Sequence, residues 1–165
     1  GERIMTIRPA VAEELSLVLK IYERARDFMR ENGNPDQWGD VYPPKELVEE
    51  NIESGILQVL ENDGEIEGVF AFFPNGDPLY DDIDGEWLNS EPYVAVHRIA
   101  SAGRSKGIFN EILKFCKKYS SNLRIDTYPE NAIMRKILIK NGFTECGTVI
   151  CADMPFIVFH KIFEE

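Results

Sequence analysis

Ser101-Ala102-Gly103-Arg104-Ser105-Lys106-Gly107 packs glycines, hydroxyls and cations into one short connection between a strand-like run and a helix-like one. A helix N-terminus leaves backbone N–H groups unpaired and carries the positive end of the helix dipole, so an anion is favoured there. Gly103 and Gly107 permit close backbone approach, and Arg104 and Lys106 add charge. The chemistry is anion binding at the size of a pyrophosphate, with a plain structural linkage as the other reading of so short a turn. No acidic residue falls between Glu91 and Glu111, although the chain carries 29 acids against 18 bases. Neither a Walker Gly-Lys-Ser/Thr ending nor a GxGxxG turn is present, which weakens ATPase and dinucleotide readings.

The elements that must position this loop follow from periodicity. A short strand is expected around Met5–Arg8. Val11, Leu15, Val18, Tyr22, Ala25 and Met29 then recur at three- and four-residue steps, one face of an amphipathic helix that stops near Asn32–Gly33. Asn34–Tyr42 is aromatic and irregular, and Pro43–Pro44 opens a second helix through Leu47, Val48 and Ile52 that ends at Ser54–Gly55. Leu57–Leu60 and Glu65–Phe73 flank Asn62-Asp63-Gly64, a hairpin composition. From Asp77 to Pro92 no period survives, and the segment holds Tyr80, Asp81, Asp82, Asp84, Glu86, Trp87 and Glu91. Beyond it the pattern predicts a strand at Tyr93–Ser101, a helix at Gly107–Tyr119 with Ile108, Ile112, Phe115, Cys116 and Tyr119 inward, and a strand at Leu123–Tyr128. Asn131–Asn141 is a helix closed by Gly142, and Phe143–Ile150 and Phe156–Phe163 are closing strands, all in one mixed sheet.

At 165 residues, 44% hydrophobic and 11% aromatic, the chain fits a single domain over residues 1–165. A net charge of −11 disfavours nucleic acid as a partner and suits a cationic or amine one, or simply a solubilising surface. Cys116, Cys146 and Cys151 lack CxxC spacing, so reduced and mostly buried thiols are expected, Cys116 in a core role. No run approaches a membrane span and no signal-peptide core stands at the N-terminus, so a cytoplasmic protein without membrane contact is expected.

Arg104-Ser105-Lys106-Gly107-Ile108-Phe109, following a strand and opening a helix, resembles the Arg/Gln-x-x-Gly-x-Gly/Ala motif of the GCN5-related N-acetyltransferase family, with Phe109 departing from the last small residue. Asn131, Leu138 and Gly142-Phe143 are similar to that family's final helix, and Val94–Ser101 to its central strand. The likeness in element order covers nearly the whole chain, while the motifs lie within Val94–Phe143. The resemblance implies an α/β (α+β) fold with a mixed, mostly antiparallel twisted sheet of six to seven strands, flanked by four helices and with a splayed parallel pair at the centre. It implies acetyl-coenzyme A as cosubstrate, with no metal, bound in the opening between the strands Tyr93–Ser101 and Leu123–Tyr128. Backbone groups of Ile99, Ala100 and Ser101 would pair with the pantetheine arm, those of Arg104, Ser105, Lys106, Gly107, Ile108 and Phe109 would hold the pyrophosphate, and Asn131 would lie near the thioester.

Direct acetyl transfer needs a neutral amine, yet an alkyl ammonium titrates near about 10.4, so a base or water chain is required. His97, on the strand that would border the acetyl group, is the first choice as base or water-positioner, a structural histidine beside Arg98 being the other reading. Tyr93 stands where many relatives place a base Glu; a phenol titrating near about 10 is a poor base, so substrate contact or proton relay is its expected part. The relatives' thiolate-protonating Tyr falls at Leu138, which donates no proton. A backbone N–H near Ile99 would stabilise the oxyanion. Trp38, Tyr42, Tyr80, Asp81, Glu86 and Trp87 come from the two loops that cover the substrate end in this family and could cage an amine, or could merely pin and solvate those loops.

The resemblance implies an N-acetyltransferase acting on a primary amine of a small molecule or peptide. Leu138 and Phe109 motivate an alternative, a catalytically weak coenzyme A-binding sensor or regulatory domain, and a partner-binding protein without cofactor is a third reading. His160 is read as structural, and the closing strands could pair between chains in a homodimer.

Overall fold

The computed structural model describes residues 5–164. Two compact units emerge, the first built from the chain up to Phe72 together with His97–Phe115, the second from Phe73–Val96 and the chain from Cys116 onward.

In the first unit β1 (Thr6–Pro9) pairs antiparallel with β2 (Leu57–Asn62), and β2 with β3 (Glu65–Phe73). Asp63 and Gly64, with φ of 50° and 81°, make the tight turn between β2 and β3. Helix α1 (Leu15–Glu31) buries Val18, Ile21, Tyr22 and Ala25, and α2 (Lys45–Glu53) buries Val48 and Asn51. Those apolar side chains share one core with Trp38, Leu57, Val59 and Val69. A 3₁₀ turn at Ala12–Glu14 precedes α1, so Val11 is exposed and acts as a cap: its N–H donates to the Glu14 carboxylate at 2.9 Å. Helix α3 (Ile108–Lys117) sets Phe115 edge-on to Phe70 and Phe72, at 5.6 and 4.9 Å.

In the second unit β6 (Asn122–Thr127) pairs antiparallel with β8 (Met154–Ile162), and β8 with β7 (Thr144–Cys151), so β8 has a strand of its own chain on either side. β4 (Asp84–Gly85) lies along β7, and α4 is Ala132–Lys140. β5 (Val94–Ser101) runs through both units, and Val94 and Ala95 pair in parallel with Leu123 and Arg124 of β6. The hydrogen-bonded order is β1-β2-β3-β5-β6-β8-β7-β4, a mixed, mostly antiparallel sheet.

The sheet therefore has eight strands rather than six to seven. The addition is β4, inside the stretch expected to be irregular. It forms because Gly85 lies opposite Gly147, where a Cβ on either would collide with the other strand's backbone. Two residues carry no period, so nothing in their pattern announces a strand. Helix α3 is shorter than expected: Gly107 stands outside it with φ 84°, and Tyr119, expected inward, is 57% exposed in the turn that leads to β6. All three cysteines are free, and burial pushes the Cys116 thiol up to about 12. Among the described residues, no helix is long and apolar enough to cross a membrane.

Candidate active site

The loop from Ser101 to Gly107 lies wholly in the first unit. Gly103 and Gly107 adopt φ of 86° and 84°, the left-handed region that side chains disfavour, so the glycines are there for conformation. Gly103 N–H donates to Ser101 Oγ at 2.9 Å, and Ala102 N–H to the Glu67 carbonyl at 2.9 Å. A Cβ on Gly107 would meet no atom within 4 Å, so the head of α3 is open on that side. Two of these features suit a diphosphate: a glycine with clear space beside it, and a ten-residue helix that begins directly after it.

The two cations of the loop part company. Arg104 turns onto β3, donating to the Ile66 carbonyl at 2.6 Å with the Glu65 and Glu67 carboxylates each 3.7 Å away. Ser105 Oγ donates to Glu67 Oε2 at 2.7 Å, and Lys106 is exposed. Arg24 of α1 supplies a cation that periodicity did not reveal: its guanidinium donates to the Ser101 carbonyl at 3.2 Å and occupies the space where a Gly103 side chain would be. Ile108 is buried and Phe109 half-buried.

Upstream, Arg98 kinks β5 with φ 54° without ending it. A long side chain in that conformation costs on the order of 1–3 kcal/mol. Its surroundings hold it there: the Tyr22 hydroxyl donates to the Arg98 carbonyl at 2.9 Å, and Arg98 Nη2 donates to Asn51 Oδ1 at 2.8 Å. Burial pushes the Tyr22 phenol up, which keeps it a donor. The residues on either side of the kink, His97 and Ile99, are half-buried, whereas Ala100 is buried. Trp38 is buried edge-on to Tyr22 at 5.7 Å, and Tyr42, 6.3 Å from Trp38, is exposed.

The remaining candidates belong to the second unit. The Tyr93 hydroxyl is committed to the Asp77 backbone, donating to its carbonyl at 2.9 Å and accepting its N–H at 3.0 Å. Tyr80 is fully buried and donates to Asp126 Oδ2 at 2.6 Å; burial first, then the Asp126 charge, drives its phenol well up. Trp87 Nε1 donates to the Tyr80 carbonyl at 2.9 Å, while Asp81 and Glu86 are exposed. Asn131 caps α4, its side-chain oxygen accepting from Met134 N–H at 3.0 Å, and Leu138 is fully buried. The aromatic and acidic candidates thus fall into two groups: Trp38 and Tyr42 in the first unit, Tyr80, Asp81, Glu86 and Trp87 in the second.

What pins the 77–92 segment is a polar row on one face of β6, Asn122, Arg124 and Asp126, at the two-residue step of a strand. Asn122 Oδ1 accepts from Asn89 Nδ2 at 2.9 Å, and Arg124 Nη2 donates to the Asn89 carbonyl at 3.0 Å. The Arg124 guanidinium is buried between the Trp87 ring at 4.2 Å and the Tyr93 ring at 4.0 Å. Replacing a buried cation by a small side chain forfeits both ring contacts and leaves a gap, so Arg124→Ala should lower unfolding free energy by about 2–4 kcal/mol, read from urea titration.

His160 completes this network. It is fully buried, its Nδ1 accepts the Leu88 N–H at 3.2 Å, and its Nε2 is 2.9 Å from Asn122 Oδ1, the arrangement of a neutral ring protonated at Nε2. Burial, then the Arg124 charge, pushes His160 down to about 4. The unfolded chain therefore takes up this proton first as pH falls. Stability is intact above the ordinary histidine value of about 6.5 and declines between there and about 4, a loss approaching about 3 kcal/mol. Urea midpoints at pH 7 and pH 4.5 should differ more in the wild type than in His160→Gln; equal differences would remove His160 from the acid response.

Comparison with known proteins locates this architecture. No protein-family model matches the chain, and no curated protein does. Among solved structures, a GNAT-family acetyltransferase from Streptococcus agalactiae 2603 is 29% identical with a TM-score of 0.86, over 98% of this chain and 96% of its own. A GNAT-family acetyltransferase from Listeria monocytogenes 4b F2365 is 17% identical with a TM-score of 0.72, over 98% of this chain and all of its own at 100%. AAC(6')-Ib, solved in complex with paromomycin and acetyl-coenzyme A, is 19% identical with a TM-score of 0.63, over 96% and 93% of the two chains.

Proposed function

We propose that this chain, which has the fold of the GCN5-related N-acetyltransferases, transfers acetyl from acetyl-coenzyme A to a primary amine of a small molecule or peptide, by direct attack in a ternary complex. The observation that carries the reading is the pair of left-handed glycines, Gly103 and Gly107, delivering the chain to the open head of α3. Acetyl-coenzyme A, when bound, supplies the acetyl group activated as a thioester. Main-chain amides from Arg104 to Phe109 hold its diphosphate, and backbone groups of Ile99, Ala100 and Ser101 line up its pantetheine arm, with Asn131 toward the thioester end. The chain acts as a single acetyl-coenzyme A-dependent domain over residues 1–165.

His97 takes the proton from the acceptor ammonium, directly or through water, and the N–H near Ile99 meets the developing oxyanion. Arg98, whose left-handed conformation separates these two residues, sets their directions. Exposed Tyr42 in the first unit presents a ring face, and exposed Asp81 and Glu86 in the second present negative charge, contacts suited to an amine. Tyr80, Trp87 and Tyr93 hold the acidic segment through their hydrogen bonds, so their part is support. AAC(6')-Ib, similar in fold, is in complex with acetyl-coenzyme A, which supports the choice of cosubstrate. The free thiols support a cytoplasmic setting.

The second reading, a coenzyme A sensor without turnover, is favoured by Leu138, a buried side chain with no proton to give where relatives place a tyrosine. Thiol release from acetyl-coenzyme A across a panel of amines separates the two. Amine-dependent release supports the transferase; tight coenzyme A binding with no release for any amine supports the sensor.

A further inference from the structure

We propose that Glu67 of β3 is a positioning residue for coenzyme A, its carboxylate holding the Ser101–Gly107 loop in the shape that grips the diphosphate. This rests on the acetyl-coenzyme A reading above. Glu67 is the only charged residue between Ile66 and Phe73, and its side chain is 4% exposed. A buried carboxylate is costly unless paired. Both of its side-chain partners lie on the loop: Ser105 Oγ donates to Oε2 at 2.7 Å, and Arg104 Nε lies 3.7 Å from the same oxygen. The backbone joins in, since Ala102 N–H donates to the Glu67 carbonyl at 2.9 Å and Arg104 Nη2 to the Ile66 carbonyl at 2.6 Å. Ala102, Arg104 and Ser105 are therefore all tied to two adjacent residues of β3.

An acid beneath an anion-binding turn opposes the ligand's charge, so electrostatics alone gives no reason for it. Its geometry does. By taking the Ser105 hydroxyl and lying beside Arg104, Glu67 sets the course of the loop before any ligand arrives, which removes an ordering cost from binding. Arg104 acts as a tether, while Lys106 and Arg24 are exposed cations.

Calorimetric titration with coenzyme A, and separately with pantetheine, which lacks the diphosphate, tests the assignment in the full chain. Glu67→Ala should weaken coenzyme A binding about tenfold and Ser105→Ala about fivefold, the scale of a hydrogen bond to a charged group. Pantetheine affinity should stay within about twofold, and Glu67→Gln, which keeps an acceptor for Ser105, should recover most of the coenzyme A affinity. Equal weakening toward both ligands would assign Glu67 a purely structural part and overturn the proposal, as would unchanged coenzyme A affinity in the folded variants. Should Glu67→Ala fail to fold, Ser105→Ala decides. A wild-type chain that binds no coenzyme A overturns the transferase reading and this one together, whereas normal wild-type binding with indifferent variants overturns this one alone.

Discussion

Gly107→Glu is expected to weaken coenzyme A binding by more than about a hundredfold while leaving the far-ultraviolet spectrum unchanged, because two costs combine at one residue. Gly107 has φ 84°, so any side chain there strains the backbone, by about 1–3 kcal/mol. The direction of its Cβ is open space, so the added carboxylate lies in the cradle without disturbing the core. There it meets the α3 amides that the diphosphate needs and repels the diphosphate's charge. Gly107→Ala carries the strain without the charge and should weaken binding only several-fold. Calorimetry on both variants measures the difference. Wild-type affinity in Gly107→Glu would mean that the diphosphate is held elsewhere.

His97→Ala is expected to lower turnover by about a hundredfold, with coenzyme A affinity nearly unchanged. An ammonium acceptor is unreactive until deprotonated, and removing its base slows the chemical step without touching the diphosphate contacts. The pH–rate profile distinguishes this from structural damage. Wild-type kcat/KM should show an acid limb that the variant lacks. A variant retaining wild-type turnover across pH would take His97 out of the reaction.

The elements were legible wherever side chains repeat at the spacing of one face. Val18, Tyr22 and Ala25 mark α1 in the sequence and lie buried in its core, and the Asp63–Gly64 turn follows from composition alone. The Asn122, Arg124 and Asp126 row also had a signal, polar residues alternating with Leu123 and Ile125, but its meaning depended on the aromatic segment that covers it. Arg98 had none: an arginine does not announce a left-handed conformation, which is imposed by Tyr22 and Asn51, 76 and 47 residues away along the chain. Arg24 and Glu67 were likewise unreadable, the first a solvent-side position on a helix and the second an acid in an apolar strand.

By itself the sequence determined the order of helices and strands and the glycine-bearing turn before α3, and it pointed to a chemistry of diphosphate and amine as an expectation. Local periodicity and backbone preference suffice for that, since each depends on neighbours in the chain. Only the tertiary structure decided that Arg104 is tethered to β3, that Arg24 stands beside Gly103, and that Tyr80 and Trp87 anchor a loop with Arg124 between the Trp87 and Tyr93 rings. Those outcomes arise from long-range packing, where burying a charge or a hydroxyl demands a partner that no local pattern names.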